Sequence, residues 1–485
     1  MKKIVAYITL AWTFIACTHT LPGGKSVDYL PNIFPDYAET TIPPNIAPLN
    51  FALTAPDGEA YAAFAFNEQT FVVKAKNGQF TLPAARWKKL LNVATGNSIT
   101  VTICEKKEEW LMYAPFHIHV AEEPIDPYVA YRLIEPGYAL WNSMGIYQRN
   151  LENFLESAII ENKMTRNNCM NCHSFCMQDP TRMLFHIRET YPGTLLINGD
   201  KIEKLNAKTE QIISSLVYPS WHPSGRYVAF SVNKIMQSYH INHPNRIEVY
   251  DEASDVVVYD IEKHEIVTTA ALFSEKDFET FPTFSPDGKT LYFCSAVARP
   301  MPHAFEEVKY SLCAITFDPE TRRFGAVTDT LFHAPSQGKS VSFPRVSPDG
   351  NHLIYTLSEY GNFSIWHKDA DLYIRNLATN ENRPLEILNS GDVESYHSWS
   401  SNSRWLIFSS RRIDGLYTRL YIAHIDAEGN ESKPFLLPQK DTGFYHRFMK
   451  SYNIPEFITG KVKNRSYELA QKVRKKGTQV KFVAE

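Results

Sequence analysis

Between residues 218 and 410 the chain alternates apolar and polar positions in four stretches of one design. They are YPSWHPSGRYVAFS (218–231), FPTFSPDGKTLYFCS (281–295), FPRVSPDGNHLIYTLS (343–358) and YHSWSSNSRWLIFSS (396–410). Each places an aromatic-led extended run before a Pro-Asp-Gly turn or a relative of it, and a run of period two after it, which predicts strand, turn and strand. Pro and Asp start such a turn, and Gly accepts the positive φ that closes it. A further alternating run follows in each unit: DVVVYDIEKHE (255–265), YSLCAITFDPETRRFG (310–325), DLYIRNLATNENRP (371–384) and RLYIAHIDAEGNES (419–432). Strand sets recurring at about sixty residues predict the blades of a β-propeller. TLLINGDKIEKLN (194–206) reads as the outer half of one more blade. Five or six blades are expected over residues 186–460, with the chain's ends sharing one.

Two of the turns, Ser285-Pro286-Asp287-Gly288 and Ser347-Pro348-Asp349-Gly350, complete the pattern S-P-D-G-x-x-[ILV]-x-[FY]. In this the chain resembles the TolB-like propeller repeats. In TolB the partner domain is an N-terminal α/β module. Here residues 28–125 read as short alternating strands (NFALTA, AAFAFN, TFVVKAKNGQFTLP, SITVTICEK, WLMYAPFHIHV) and predict an immunoglobulin-like β-sandwich. That departure argues against a Tol–Pal role. No G-x-S-x-G elbow occurs and no hydrolase-sized domain follows the blades, so a propeller peptidase is not expected. The fold class is mainly β.

The connecting segment, residues 126–185, is expected to be helical, because MGIYQRNLENFLESAIIENK (144–163) places apolar residues at helical spacing. It leads into NNCMNCHSFC (167–176), where Cys169, Cys172 and His173 spell C-x-x-C-H. Two thiols at that spacing reach the vinyl groups of a porphyrin, and the adjacent imidazole falls beneath the iron. Covalent haem c is the expected cofactor, with Cys169 and Cys172 as thioether donors and His173 as proximal iron ligand. Met177, Met183 and His186 are candidates for the distal position, His186 preferred over Met183. Arg182 and Arg188 are candidate partners for the propionates. Three other chemistries use the same cysteines: a zinc site that includes Cys176, a disulfide, and a redox-active dithiol. The spacing is compact for tetrahedral zinc, and no thioredoxin-like βαβ frame surrounds the dithiol. In YHSWSS, His397 lies beside Ser398 and Ser400, but neighbours on a strand point to opposite faces. His397 therefore reads as a hydrogen-bonding residue of a blade, and no catalytic residue is assigned.

The first residues change the setting. MKKIVAYITLAWTFIAC has a basic start and an apolar core too short to span a bilayer, and Phe14-Ile15-Ala16-Cys17 resembles a bacterial lipobox. Residues 1–17 are read as a lipoprotein signal with Cys17 as the lipidated residue, so the membrane is met through a lipid anchor. With 44% hydrophobic residues the cores are large, and a formal net charge of −3 excludes nucleic acid as the main partner. The basic stretch 461–485 is read as a solvated terminal helix around Arg465 to Lys476. The order of lipobox, β-domain, C-x-x-C-H and TolB-like blades resembles lipoproteins of gut Bacteroidetes described as TolB-like or cytochrome c biosynthesis proteins. The resemblance implies the cell envelope, and THTLPGG after Cys17, free of acidic residues, implies an outer-membrane anchor facing the periplasm. Two functions follow. One is a monohaem electron-transfer or redox-sensing protein whose propeller docks a redox partner. The other is a haem-free envelope scaffold that binds a protein, peptide or glycan through its central channel and loop face, lined by Trp221, Trp366, Trp399, His397, Arg411 and Arg412.

Overall fold

The computed structural model describes residues 20–136, 143–212 and 214–484; Cys17 lies outside them. Six sheets, antiparallel except for two edge strands from the tail, follow one another. The first takes three strands from Tyr128–Ile134, Gly145–Asn150 and Glu156–Glu161, and its innermost strand, Ser451–Ile458, from the far end of the chain. The other five begin with inner strands Met170–Phe175, Leu216–Trp221, Asp277–Phe284, Ser340–Val346 and Glu394–Trp399, each leading outward through consecutive hairpins. Each inner strand touches the next, and Ser451–Ile458 touches both Glu394–Trp399 and Met170–Phe175, so the ring is closed. This is a β-propeller, in which closure leaves no long free edge at the centre.

The repeat turns are built as their residues require. Ser285, Ser347 and Ser400 donate to Asp287, Asp349 and Asn402 at 2.5, 2.6 and 2.6 Å, and accept the N–H of Thr290, His352 and Trp405. At Gly288, φ is +74° and a Cβ would stand 2.1 Å from His222 Nε2, so only glycine fits.

Each inner strand also carries one bulge. The ladders slip between Asn171 and Ser174, Val217 and Ser220, Thr280 and Thr283, Ser342 and Arg345, Ser395 and Ser398, and opposite Asn453 and Glu456. One residue in each slip has positive φ: Cys172, Tyr218, Phe281, Phe343, Tyr396 and Ile454. A bulge re-aims a side chain, and these six turn toward the axis.

Three regions differ from the sequence reading. Residues 144–163 form no helix: Gly145–Asn150 and Glu156–Glu161 are a hairpin. Its turn is made by Asn150 Oδ1, which accepts from Glu152 and Asn153, and by Asn153 Oδ1, which accepts from Leu155. Ile146, Ile159 and Ile160 pack toward the second sheet while Leu151 and Tyr147 pack toward the other side. Strands covered on both faces lose the two-residue alternation that would have marked them. The segment 126–185 therefore supplies three strands of the first sheet and the start of the second.

The N-terminal region has a seven-stranded sheet, a three-stranded sheet and a helix, Ala84–Ala94, that buries Trp87, Leu90, Leu91 and Ala94. Lys25–Ser26 and Thr40–Ile42 enter the larger sheet parallel to their neighbours, unlike an all-antiparallel sandwich. Its core runs on into the sixth sheet of the propeller. The basic tail is not free. Helix Ser466–Val473 buries Leu469, Ala470 and Val473, and Thr478–Gln479 and Lys481–Ala484 extend the outer edges of the second and third sheets.

Candidate functional site

The C-x-x-C-H sequence lies where the innermost strand of the second sheet bulges. Cys172 takes the axial position, at φ +52°. His173 follows it, 1% exposed, with its ring toward the backbone carbonyls of Ala130 and Ile454 in the first sheet. Neither ring nitrogen completes a hydrogen bond. Burial, and then Arg132, hold its pKa down to about 3, so the ring is neutral. Burial also raises the thiols of Cys169 and Cys172 above their ordinary value, which suppresses the thiolate that attacks or ligates.

Of the three distal candidates, Met177 is exposed in the turn after the strand, and Met183 and His186 lie on different sides of the second sheet. Met183, Phe185 and Ile187 pack toward the first sheet with Met170 and Phe175. Leu184 packs toward the third sheet, and His186, two residues on, shares that side. His186 sits 3.2 Å from Thr194 Oγ1 and is held neutral by burial, then by Arg188, with its pKa near 3. The strand thus separates His186 from His173. The space beside Cys172 and His173 is about 20 Å³, room for about one water, whereas ligand sites run to several hundred cubic ångströms. The residues present therefore do not fit a covalent haem in this fold. The alternative chemistries are not assembled either. Cys176 turns toward His222 of the third sheet, every described cysteine is a free thiol, and no metal-holding group of three His, Cys, Asp or Glu side chains exists among the described residues.

The tunnel offers more. Tyr218, Phe281, Phe343 and Tyr396 pack ring to ring, at 4.4 Å, 4.0 Å and 4.9 Å for successive pairs, and plug the axis. On one side of the plug Ser174, Ser220, Thr283, Arg345, Ser398 and Glu456 line a mouth of about 130 Å³. Glu456 accepts the Phe175 N–H at 2.9 Å, and burial, opposed by Arg345, raises its pKa to about 7. Trp221 and Trp399 also line this mouth, donating to the carbonyls of Ser174 and Arg345 at 3.3 and 3.2 Å.

The opposite mouth is a chamber of about 360 Å³. Strands Tyr227–Tyr239 and Ile247–Asp260 overshoot their sheet and roof it with Ile235, Gln237, Tyr239, Ile247 and Val249. Buried hydrogen bonds fasten the roof. Glu248 accepts from Tyr360 at 2.8 Å and from His367 Nε2 at 3.0 Å, and Asp251 accepts from Asn233 at 2.8 Å and Tyr310 at 2.9 Å. Trp366 and Arg411 belong here, with the guanidinium 3.4 Å over the indole ring. His397 is buried between sheets, and Arg412 pairs with Glu394 at 2.9 Å. The expected loop-face residues are thus divided between two mouths and a core. Arg132, Arg345 and Glu456 were not foreseen. Arg345 and Glu456 hold a place after the bulge that carries Ser174, Ser220, Thr283 and Ser398 in the other four sheets, and that exchange for charge was the available signal.

The molecule is a closed β-propeller with an N-terminal domain docked on it. No family model matches the chain, and no curated protein matches it. Among solved structures it is similar to TolB from Acinetobacter baumannii, with 12% identity, 77% of this chain and 85% of that one covered, and a TM-score of 0.43. It is also similar to a periplasmic gluconolactonase of Pseudomonas aeruginosa, at 13% identity, 68% and 99% coverage and a TM-score of 0.37. A third likeness is to the tricorn protease, at 12% identity, 70% and 34% coverage and a TM-score of 0.35.

Proposed function

We propose that this is a haem-free binding protein of the cell envelope, which captures a small ligand, or the end of a larger one, in the roofed mouth of its propeller. The observation that carries this is the chamber itself. It is preformed, floored by an aromatic plug, and roofed by a hairpin fixed through Glu248 and Asp251. Preorganised concave sites of this size, with apolar walls and a few polar groups, are where ligands bind. Anchoring through Cys17 toward the periplasm rests on the lipobox-like start of the chain. Native mass spectrometry of protein purified from its own cells tests the reading. A non-covalent mass on the wild type that Asn171→Trp abolishes is the expected result, because the indole fills the chamber. Identical spectra for the two proteins overturn it.

A second reading, haem c on Cys169 and Cys172, is supported by the C-x-x-C-H spacing and by the unsatisfied nitrogens of His173. It requires the inner strand to leave the ring. A covalent mass on the Cys169–Cys172 peptide with a pyridine haemochrome spectrum would put this reading in place of the first.

A further inference from the structure

Some charged side chains buried in this propeller are ion-paired, while others, such as Arg149, Arg375 and Arg419, are satisfied by backbone carbonyls. Among the pairs, Asp260 meets Arg226, Glu394 meets Arg412, and Glu248 meets His367. The roofed chamber gathers three guanidiniums, Arg132, Arg188 and Arg411, in one lining, and none of them is in an ion pair among the described residues. Arg132 is 8% exposed, and its Nε has no partner among the described residues; one terminal nitrogen donates to the Asn453 amide oxygen at 3.0 Å. Arg188 makes no side-chain hydrogen bond among the described residues, and its Nε is buried. Arg411 donates to the carbonyls of Ile365 and Leu416 and stacks on Trp366. The chamber's own carboxylate is Glu135; Asp392 and Asp414 lie beyond Arg411, along an adjoining cavity, and Glu189 lies near Cys169. Tyr218, Tyr396, Phe363 and Ile454 supply apolar wall.

Burying a guanidinium without a counter-charge is costly, and its planar fork matches carboxylate and phosphate oxygens. We propose that the chamber is an oxyanion site, which takes a small ring-bearing carboxylate or phosphate through Arg132, Arg188 and Arg411. This rests on the binding-protein reading above and names the chemistry of its ligand.

Calorimetric titration of the whole protein in dilute buffer tests it, with benzene-1,3-dicarboxylate, its neutral diamide and inorganic phosphate as probes. Arg188→Gln is the informative variant, since the fold draws no hydrogen bond from that side chain; Arg188→Lys keeps the charge. The dicarboxylate is expected to bind at least tenfold more tightly than the diamide. Arg188→Gln should weaken it at least tenfold, Arg188→Lys less, and added salt should weaken it in the wild type. Phosphate binding as tightly as the dicarboxylate assigns the site to the anion alone; weaker phosphate binding assigns part of it to the ring. Equal affinity for acid and diamide, with Asn171→Trp abolishing both, overturns the oxyanion site and leaves the binding protein standing. An unchanged affinity in Arg188→Gln, or no binding of any probe, also overturns it.

Discussion

The inner strands of the second and sixth sheets run in step, residue for residue. Cys172 and Tyr396 both face the axis at positive φ, 52° and 48°. His173 and His397 follow, both buried between sheets, both held near a pKa of 3 by burial, and both turned to carbonyls of the preceding sheet. Ser174 and Ser398 come next, then Phe175 and Trp399, then Cys176 and Ser400, each pair serving the same place. The strands differ in how well those places are filled. His397 Nε2 donates to Ile354 O at 3.0 Å, while His173 makes no such bond. Tyr396 packs on Phe343 at 4.9 Å, while Cys172 leaves a small gap.

Two of the three residues of C-x-x-C-H therefore occupy standing positions of the repeat. At the bulge one residue turns to the axis and the next turns back between sheets, and Cys172 and His173 hold those two places. What remains particular to the second sheet is Cys169, which lies before the strand at the edge of the roofed chamber.

One test of this parallel removes the axial side chains. Tyr396→Ala deletes a ring from the plug and should cost about 3 to 4 kcal/mol. Cys172→Ala should cost about 1 kcal/mol, since it removes one atom beside an existing gap. Urea unfolding followed by near-ultraviolet dichroism measures both. Equal losses would mean that the two sites are not equivalent members of one ring.

Legibility followed how local the cause of each element is. Ser285-Pro286-Asp287-Gly288 carries its own turn chemistry, so the hairpins from residue 218 to 410 could be read directly. The first sheet could not be, because its inner strand, Ser451–Ile458, comes from more than three hundred residues away, and its turn is hidden in Asn150-Leu-Glu-Asn153. The direction of His173 was likewise beyond reach, since the first sheet's carbonyls set it. Arg132, Arg188 and Arg411 meet only after ring closure; nothing near any one of them announces the other two.

An effect of pH separates the histidines from the acid beside them. Unfolded histidine titrates near 6.5, whereas His173 and His397 bind a proton in the folded state only near 3. Between those values the unfolded chain holds more protons. Stability is therefore full above about 6.5 and lost as the pH falls, by up to about 1.4 kcal/mol per pH unit for each ring. Glu456 acts oppositely. Its folded pKa of about 7 lies above its ordinary 4.5, so its contribution is present below 4.5 and lost as the pH rises through 7. Denaturation midpoints taken from pH 4 to 8 should show a flatter acid limb when both histidines are replaced by proline. An acid limb of unchanged slope in that double variant would contradict the burial of the two rings.

The smallest expected effect bears most on function. The other four inner strands carry proline directly after the axial residue: Pro219, Pro282, Pro344 and Pro455. The backbone there already suits a ring that fixes φ near −65°, and the bulge takes this residue out of the ladder register. His173→Pro should therefore change stability by no more than about 1 kcal/mol, the lost packing of the imidazole being offset by a stiffer unfolded chain. The same change at His397 should cost more, because it breaks the bond to Ile354. A proximal iron ligand cannot be exchanged for proline at all. If His173→Pro removes a covalent mass or an absorption band that the wild type carries, His173 is a ligand and the parallel with the sixth sheet fails at the residue that matters most. If the variant folds with the wild-type spectrum, unfolds at nearly the same urea concentration and still binds in the roofed chamber, His173 belongs to the repeat and function lies with the arginines above it.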